Sequence, residues 1–218
     1  MEITKTIYVI CEGKSEEVYL KTLNRYLNQK EYPFTFLCVS CKQKDGHFVH
    51  LKKRWKKYRK NNNKTFRYWR RESNIFFLVD WDLFERNEKN CYTLYSQEKE
   101  NLPPFFFNYQ NFEDFLSLHF PTSKAAEWCC ICNTHQHFRD PMHSVKYVPL
   151  FQQLFPGYEK GTLPAEFNMT SGLENLKINH KNLRLLQGAL NRKCNYENDF
   201  VDYLLMLLYK SESTNCAQ

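Results

Sequence analysis

The segment IFFLVDWD occupies residues 75–82. Its first five residues, Ile75 to Val79, are continuously apolar, which is typical of a central strand in a parallel sheet covered on both faces. The strand is followed by Asp80, Trp81 and Asp82. Because side chains alternate in an extended chain, Asp80 and Asp82 project the same way and Trp81 projects the other way. The segment therefore predicts a buried strand that brings two carboxylates to one edge of a sheet.

Three more apolar runs predict strands on either side of this one in the sequence. They are Thr6 to Cys11, Phe34 to Val39, and Phe105 to Phe107. Helical spacing follows the first run, where Ser15 is a suitable N-cap, and follows the last, where Asn111 begins a helix. Strands that alternate with helices favour an α/β fold with a parallel sheet.

The second half of the chain shows apolar residues at helical spacing, as in the stretch from Val148 to Phe155 and again from Phe200 to Leu208. We therefore predict a Rossmann-like core of about four parallel strands over residues 1–120. A mainly helical extension is expected over residues 121–218.

Positive charge is concentrated in one segment of a chain whose net charge is +7. Residues 42–71 contain 13 Lys or Arg and one acid, whereas the remainder is slightly acidic. Part of this segment predicts an amphipathic helix, with Phe48, Leu51, Trp55 and Tyr58 on one face. Such a basic patch with interleaved aromatic residues is typical of nucleic-acid binding. The candidate contacts are Lys14, Lys52, Lys53, Lys56, Lys57, Lys60, Arg67, Arg70 and Arg71.

Composition excludes several classes of function. The chain has six glycines, and none has the spacing of a Walker loop or a dinucleotide-binding fingerprint. Its longest apolar runs are far shorter than the roughly 20 residues that span a bilayer, and its first residues do not resemble a signal peptide. We therefore expect no membrane partner, a cytoplasmic location and nine reduced cysteines.

Acidic residues follow two of the predicted strands. Glu12 comes directly after the first strand, and Asp80 and Asp82 follow the most apolar one. Because ligands bind at the carboxyl ends of parallel strands, the three carboxylates are expected to converge there if the two strands are neighbours. Such a cluster needs a cation, and its hard oxygen ligands suit Mg²⁺ or Mn²⁺. A metal beside a basic patch indicates phosphodiester chemistry.

These residues give the chain a resemblance to a known family. Glu12-Gly13 after a first strand, with Asp80 and Asp82 after a later one, is similar to the TOPRIM domain of topoisomerases, DnaG-type primases, OLD nucleases and ribosomal RNA maturases. The wider pattern resembles the RloB-like branch of bacterial restriction and phage-defence loci. That pattern comprises VICEGKSEEVYL (9–20), FFLVDWD (76–82), NFEDFLSLHF (111–120) and LFPGYEKG (154–161).

The resemblance implies a function and roles for individual residues. Glu12 would be a general acid/base or a metal ligand, Asp80 and Asp82 would bind Mg²⁺, and Glu113 would be a further catalytic acid. The chain departs from the branch's usual asparagine-proline-cysteine-phenylalanine-glutamate motif, because Tyr109 to Glu113 reads YQNFE. The expected protein is an Mg²⁺-dependent endonuclease in antiviral defence, acting on RNA such as tRNA more readily than on DNA. An activating or inhibitory partner of the ATPase type is expected by the same analogy.

Two other functions remain open from the sequence. One is a TOPRIM-like module that binds nucleic acid or a partner without catalysis, and the other is nucleotidyl transfer of the primase type. The sequence gives no prediction for the oligomeric state.

Two cysteine pairs have the spacing of zinc ligands. Cys38 and Cys41 form one pair, and Cys129 and Cys132 form the other, but a long stretch of chain separates them. A shared zinc site, a local site of the second pair with His135, His137 or His143, and ordinary reduced thiols all remain open. Zinc is not the metal we expect, because reduced thiols are the usual state of such cysteines.

Overall fold

The computed structural model describes most of the chain in eight stretches, which are residues 5–11, 13–40, 48–61, 74–80, 102–108, 111–135, 144–189 and 199–215. Four parallel strands form its sheet, in the order β2-β1-β3-β4. Their bounds are β1 Lys5–Cys11, β2 Phe34–Ser40, β3 Ile75–Asp80 and β4 Phe105–Asn108. The prediction of an α/β fold with about four parallel strands is confirmed.

The central position of β3 follows from its composition. All five residues from Ile75 to Val79 are buried, with at most 2% of each exposed. The register pairs Cys11 of β1 with Leu78 of β3, and pairs Asp80 of β3 with Asn108 of β4. The last rung between β3 and β4 therefore consists of two polar residues at the carboxyl edge of the sheet.

Helix α1, Lys14–Gln29, buries Tyr19, Leu20, Leu23 and Leu27 along one face. Its N-cap is Gly13, so the prediction that Ser15 caps the helix is wrong. Glu16 has the third position of the helix and accepts a backbone hydrogen bond from Gly13, as the glutamate of a capping box does. The Ser15 hydroxyl is left to accept a hydrogen bond from elsewhere in the fold.

Helix α2, Phe48–Asn61, confirms the helix predicted in the basic segment, although the side chains of Phe48 and Tyr58 lie outside the described ones. Leu51 and Trp55 are buried at 0% and 2% exposure. Of the predicted nucleic-acid contacts on this helix, Lys52 is half-buried. The others are exposed, namely Lys53, Lys56, Lys57 and Lys60. The basic face is thus held outward by an apolar face of the same helix.

Five helices follow the sheet in the described part of the chain. They are α3 Phe112–Ser117, α4 Thr122–His135, α5 Ser144–Leu154, α6 Met169–Ala189 and α7 Phe200–Asn215. They share one buried core with the sheet, since the Phe200 ring lies 6.0 Å from the Phe76 ring and 5.5 Å from the Phe115 ring. The domain boundary at residue 120 stays a prediction.

Candidate functional site

The carboxyl edge of the sheet carries one of the three predicted metal ligands. Asp80 is half-buried at the end of β3, and the Asn108 side-chain Nδ2 donates to its Oδ1 over 3.4 Å. Glu12 and Asp82 lie outside the described residues, so the convergence of the three carboxylates stays a prediction. Within the described stretches, no group of three or more His, Cys, Asp or Glu side chains is arranged to hold a metal ion.

Asn108 is a polar residue of this edge that the sequence analysis did not single out. It is 0% exposed, and no group in the described part of the chain donates a hydrogen bond to its Oδ1. Carboxylate and amide oxygens are the ligands that Mg²⁺ and similar hard cations accept. Asp80 and Asn108 therefore fit the metal that the family resemblance implies.

Glu113 lies in a second cluster, at the start of α3. The helix begins after Asn111, whose Oδ1 accepts a 3.1 Å hydrogen bond from the backbone N–H of Asp114. Glu113 is 2% exposed, and the Tyr158 hydroxyl donates a 2.5 Å hydrogen bond to its Oε1. Burial raises the pKa of the Glu113 carboxyl, although Lys160 and the Tyr158 hydrogen bond act in the opposite direction.

Glu16 belongs to the same cluster and was missed by the sequence analysis. Its side chain is buried in the first turn of α1, and desolvation raises its pKa from 4.5 to about 7. The Glu113 charge raises this pKa further, whereas Lys160 lowers it. Two carboxyls from two helix N-termini therefore share one buried, electrostatically coupled site.

The segment 155–161, from the second half of the chain, also contributes residues to this cluster. Gly161 donates its backbone N–H to the Ser15 hydroxyl over 2.9 Å, and its φ of +89° suits glycine. The Lys14 side chain lies so near that a Cβ on Gly161 would be 3.0 Å from Lys14 Cδ. The Lys160 ammonium donates to the Tyr147 hydroxyl over 3.2 Å. We call Ser15, Glu16, Glu113, Tyr158 and Gly161, together with the exposed Lys160 beside them, the buried acid cluster.

A signal for this cluster was present in the sequence. Three of the four segments that carry the family resemblance, 9–20, 111–120 and 154–161, supply all of its members. Recognising these segments in the sequence did not predict which of their side chains contact one another. The structure shows that residues of these three segments contact one another.

The structure describes six of the nine predicted nucleic-acid contacts. Lys53, Lys56, Lys57 and Lys60 are exposed on α2, where Lys52 is half-buried, and Lys14 is exposed at the start of α1. Arg67, Arg70 and Arg71 lie outside the described residues. Five of these predicted contacts thus lie together on α2. The sixth, Lys14, lies beside the buried acid cluster.

The described cysteines lie in different surroundings. Cys38 Sγ lies 2.9 Å from Cys11 Sγ across β1 and β2. Cys132 is buried in α4, 3.7 Å from Asp114 Oδ1, and Cys129 is half-buried. Cys41, His137 and His143 lie outside the described residues, so the zinc alternatives stay untested.

Comparisons with family models, curated proteins and solved structures give no match to this chain. The resemblance to TOPRIM and RloB-like proteins therefore stays a prediction. None of the helices that the structure describes has the length and apolar character needed to cross a membrane.

Proposed function

We propose that this protein is an Mg²⁺- or Mn²⁺-dependent endonuclease that cleaves phosphodiester bonds of nucleic acid. The observation that carries the proposal is the position of Asp80. It ends a buried central strand at the edge where parallel sheets bind ligands, beside an amide with an unused oxygen. Glu12 and Asp82 would complete the metal ligands.

A bound divalent cation would supply charge stabilisation at the phosphate and lower the pKa of a water molecule. The chain's own residues have separate tasks in this proposal. Glu12 accepts the proton of the attacking water, and Lys14 binds a phosphate oxygen beside the N-terminus of α1. The α2 lysines hold the nucleic-acid backbone through charge, without reading its sequence.

In this proposal Glu113 positions the helices, whereas the resemblance implies a catalytic task that stays a prediction. Its carboxyl is buried and already accepts a hydrogen bond from Tyr158. We therefore assign it, with Glu16, to the buried acid cluster that fixes the N-termini of α1 and α3 next to the carboxyl edge. RNA is the substrate that we favour, because the family resemblance favours RNA over DNA.

The test of this proposal compares the parent protein with the Asp80→Ala, Asp82→Ala double variant. Each is incubated with structured RNA, single-stranded RNA and duplex DNA, with Mg²⁺, with Mn²⁺ or with a chelator. We expect divalent-dependent cleavage by the parent alone and equal binding of RNA by both. Glu174→Gln is the control, because Glu174 is an exposed acid of α6 whose side chain is 65% accessible.

The main alternative is a binding module without catalysis, favoured by the exposed lysines of α2. RNA binding without cleavage under any of these conditions would support the module. Extended products with nucleoside triphosphates would support nucleotidyl transfer. Expression in cells with sequencing of RNA and DNA ends identifies the substrate, because a discrete cut should disappear in the double variant.

A further inference from the structure

The end of β4 contains an amide oxygen that the fold leaves without a hydrogen bond. Asn108 pairs in register with Asp80 and is fully buried. Its Nδ2 makes a long 3.4 Å hydrogen bond to Asp80 Oδ1, and within the described residues its Oδ1 accepts from no donor. Leaving a buried acceptor unsatisfied costs about 1–3 kcal/mol. An apolar side chain of similar size would avoid this cost, so the amide calls for an explanation.

We propose that Asn108 Oδ1 is a ligand of the divalent cation that Asp80 binds, so that the cation bridges the ends of β3 and β4. The inference rests on the proposed function, because it concerns the same cation. Its basis is the rung itself, which places a carboxylate and an unused carbonyl oxygen on neighbouring strands.

The chemistry of the pair selects the class of cation. A carboxylate oxygen and an amide oxygen are both hard ligands, and together they contribute a single negative charge. Hard oxygen ligands of this kind suit Mg²⁺ and Mn²⁺, which are the cations of the proposed function. A half-turn about χ2 of Asn108 exchanges its Oδ1 and Nδ2, so the amide can turn its oxygen toward Asp80 when a cation replaces the 3.4 Å hydrogen bond.

The test measures metal binding directly, without nuclease activity. Mn²⁺ is titrated into the full-length chain, and free Mn²⁺ is followed by electron paramagnetic resonance. The variants are Asn108→Leu, Asn108→Asp and Asp80→Asn. We expect Asn108→Leu to weaken Mn²⁺ affinity by about ten-fold or more, and Asp80→Asn to weaken it at least as much. Asn108→Asp supplies an equivalent oxygen and should bind within a few-fold of the parent or more tightly.

Thermal unfolding gives a second readout on the same proteins. Without divalent ions, Asn108→Leu should melt no lower than the parent, because it removes an unsatisfied buried acceptor. With saturating Mg²⁺ the parent should gain more in Tm than this variant does. If Asn108→Leu fails to fold, the Asn108→Asp titration still tests the inference, because tighter Mn²⁺ binding supports it and weaker binding overturns it.

The outcomes separate this inference from the proposed function. Equal Mn²⁺ affinity in the parent and Asn108→Leu, with loss in Asp80→Asn, overturns the role of Asn108 and leaves the metal site at Asp80 intact. Loss of binding in Asn108→Asp to the same extent as in Asn108→Leu also overturns it. Absence of Mn²⁺ binding by the parent, or unchanged binding in Asp80→Asn, removes both the inference and the metal-dependent function.

Discussion

The hydroxyl of Tyr158 donates a hydrogen bond to the buried carboxyl of Glu113, which lies 45 positions earlier in the chain. The bond joins the first turn of α3 to the segment that follows α5. Because Glu113 is 2% exposed, water is a poor substitute for this donor. The position of the carboxyl therefore depends on a residue from the second half of the protein.

Replacing Tyr158 with Phe should destabilise the protein by about 1–3 kcal/mol, because the ring is kept and the Glu113 carboxyl loses its donor. The free energy of unfolding in urea at neutral pH measures the effect. Tyr209→Phe is the matched control, since Tyr209 is 45% exposed and the same atom is removed there. A loss of similar size in both variants would contradict the buried hydrogen bond.

Glu16 should make the protein less stable as the pH rises from 4.5 to 7. Its pKa is 4.5 in the unfolded chain and about 7 in the folded protein, mainly through desolvation. In this window the folded state keeps a proton that the unfolded state has lost, so stability falls with increasing pH. Glu16→Gln should remove this decline and keep the capping contact, since glutamine also occupies that position of a capping box.

The measurement is the free energy of unfolding of parent and variant at several pH values. Their difference should grow in favour of Glu16→Gln up to about pH 7 and then remain constant. Glu17→Gln is the control in the same helical turn, because Glu17 pairs with exposed Lys21 at 2.6 Å. Parallel curves for the parent and Glu16→Gln would count against the raised pKa.

His119 should destabilise the protein in acid. Desolvation lowers its pKa from 6.5 to about 4, and its ring nitrogens contact the Tyr19 hydroxyl at 2.9 Å and the Phe115 carbonyl at 3.3 Å. Between these pH values the unfolded chain binds a proton that the folded ring does not. Stability therefore falls as the pH decreases from 6.5 to 4.

His119→Gln should abolish this acid-dependent slope. The comparison is made in the Glu16→Gln background, because Glu16 contributes an opposite slope over an overlapping pH range. A His119 ring that already carries a proton at pH 6 in an NMR titration of the folded protein would refute the prediction.

The basic face of α2 should contribute to nucleic-acid affinity without contributing to stability. The triple variant Lys53→Gln, Lys56→Gln, Lys57→Gln removes three exposed charges. For single-stranded RNA, the slope of log affinity against log salt should become shallower by about 2, since each lost phosphate contact changes it by about 0.7. Fluorescence anisotropy at several salt concentrations measures the slope.

The control for this prediction is a triple Gln variant at three exposed lysines outside α2, namely Lys5, Lys30 and Lys181. It has the same net charge as the α2 variant. If both triple variants change the salt slope equally, binding depends on overall charge and α2 is not the interface.

Local sequence pattern was sufficient for the sheet. The continuous apolar run from Ile75 to Val79 predicts a buried central strand, because a polar side chain would be unsatisfied on either face. Amphipathic spacing was equally informative for α2, where Leu51 and Trp55 are buried between solvated lysines. In both elements the signal lies within a few residues of the feature that it predicts.

The same reasoning did not identify the first half of α6. Asn179 is 1% exposed in this helix and donates to the carbonyls of Leu118 and Phe120. A buried polar residue of this kind interrupts the apolar periodicity, because its reason for being buried lies in a distant part of the chain. The buried acid cluster escaped prediction for the same reason, since Glu16 and Glu113 belong to different helices.

The hydrogen bond between Ser15 and Gly161 has a consequence for biosynthesis. The donor is made 146 residues after the acceptor. A ribosome must therefore have translated the chain past Gly161 before the cluster around Glu113 can assemble. Chains that a stalled ribosome releases before residue 161 would lack this hydrogen bond, so only products that include Gly161 would hold the N-terminus of α1 in this way.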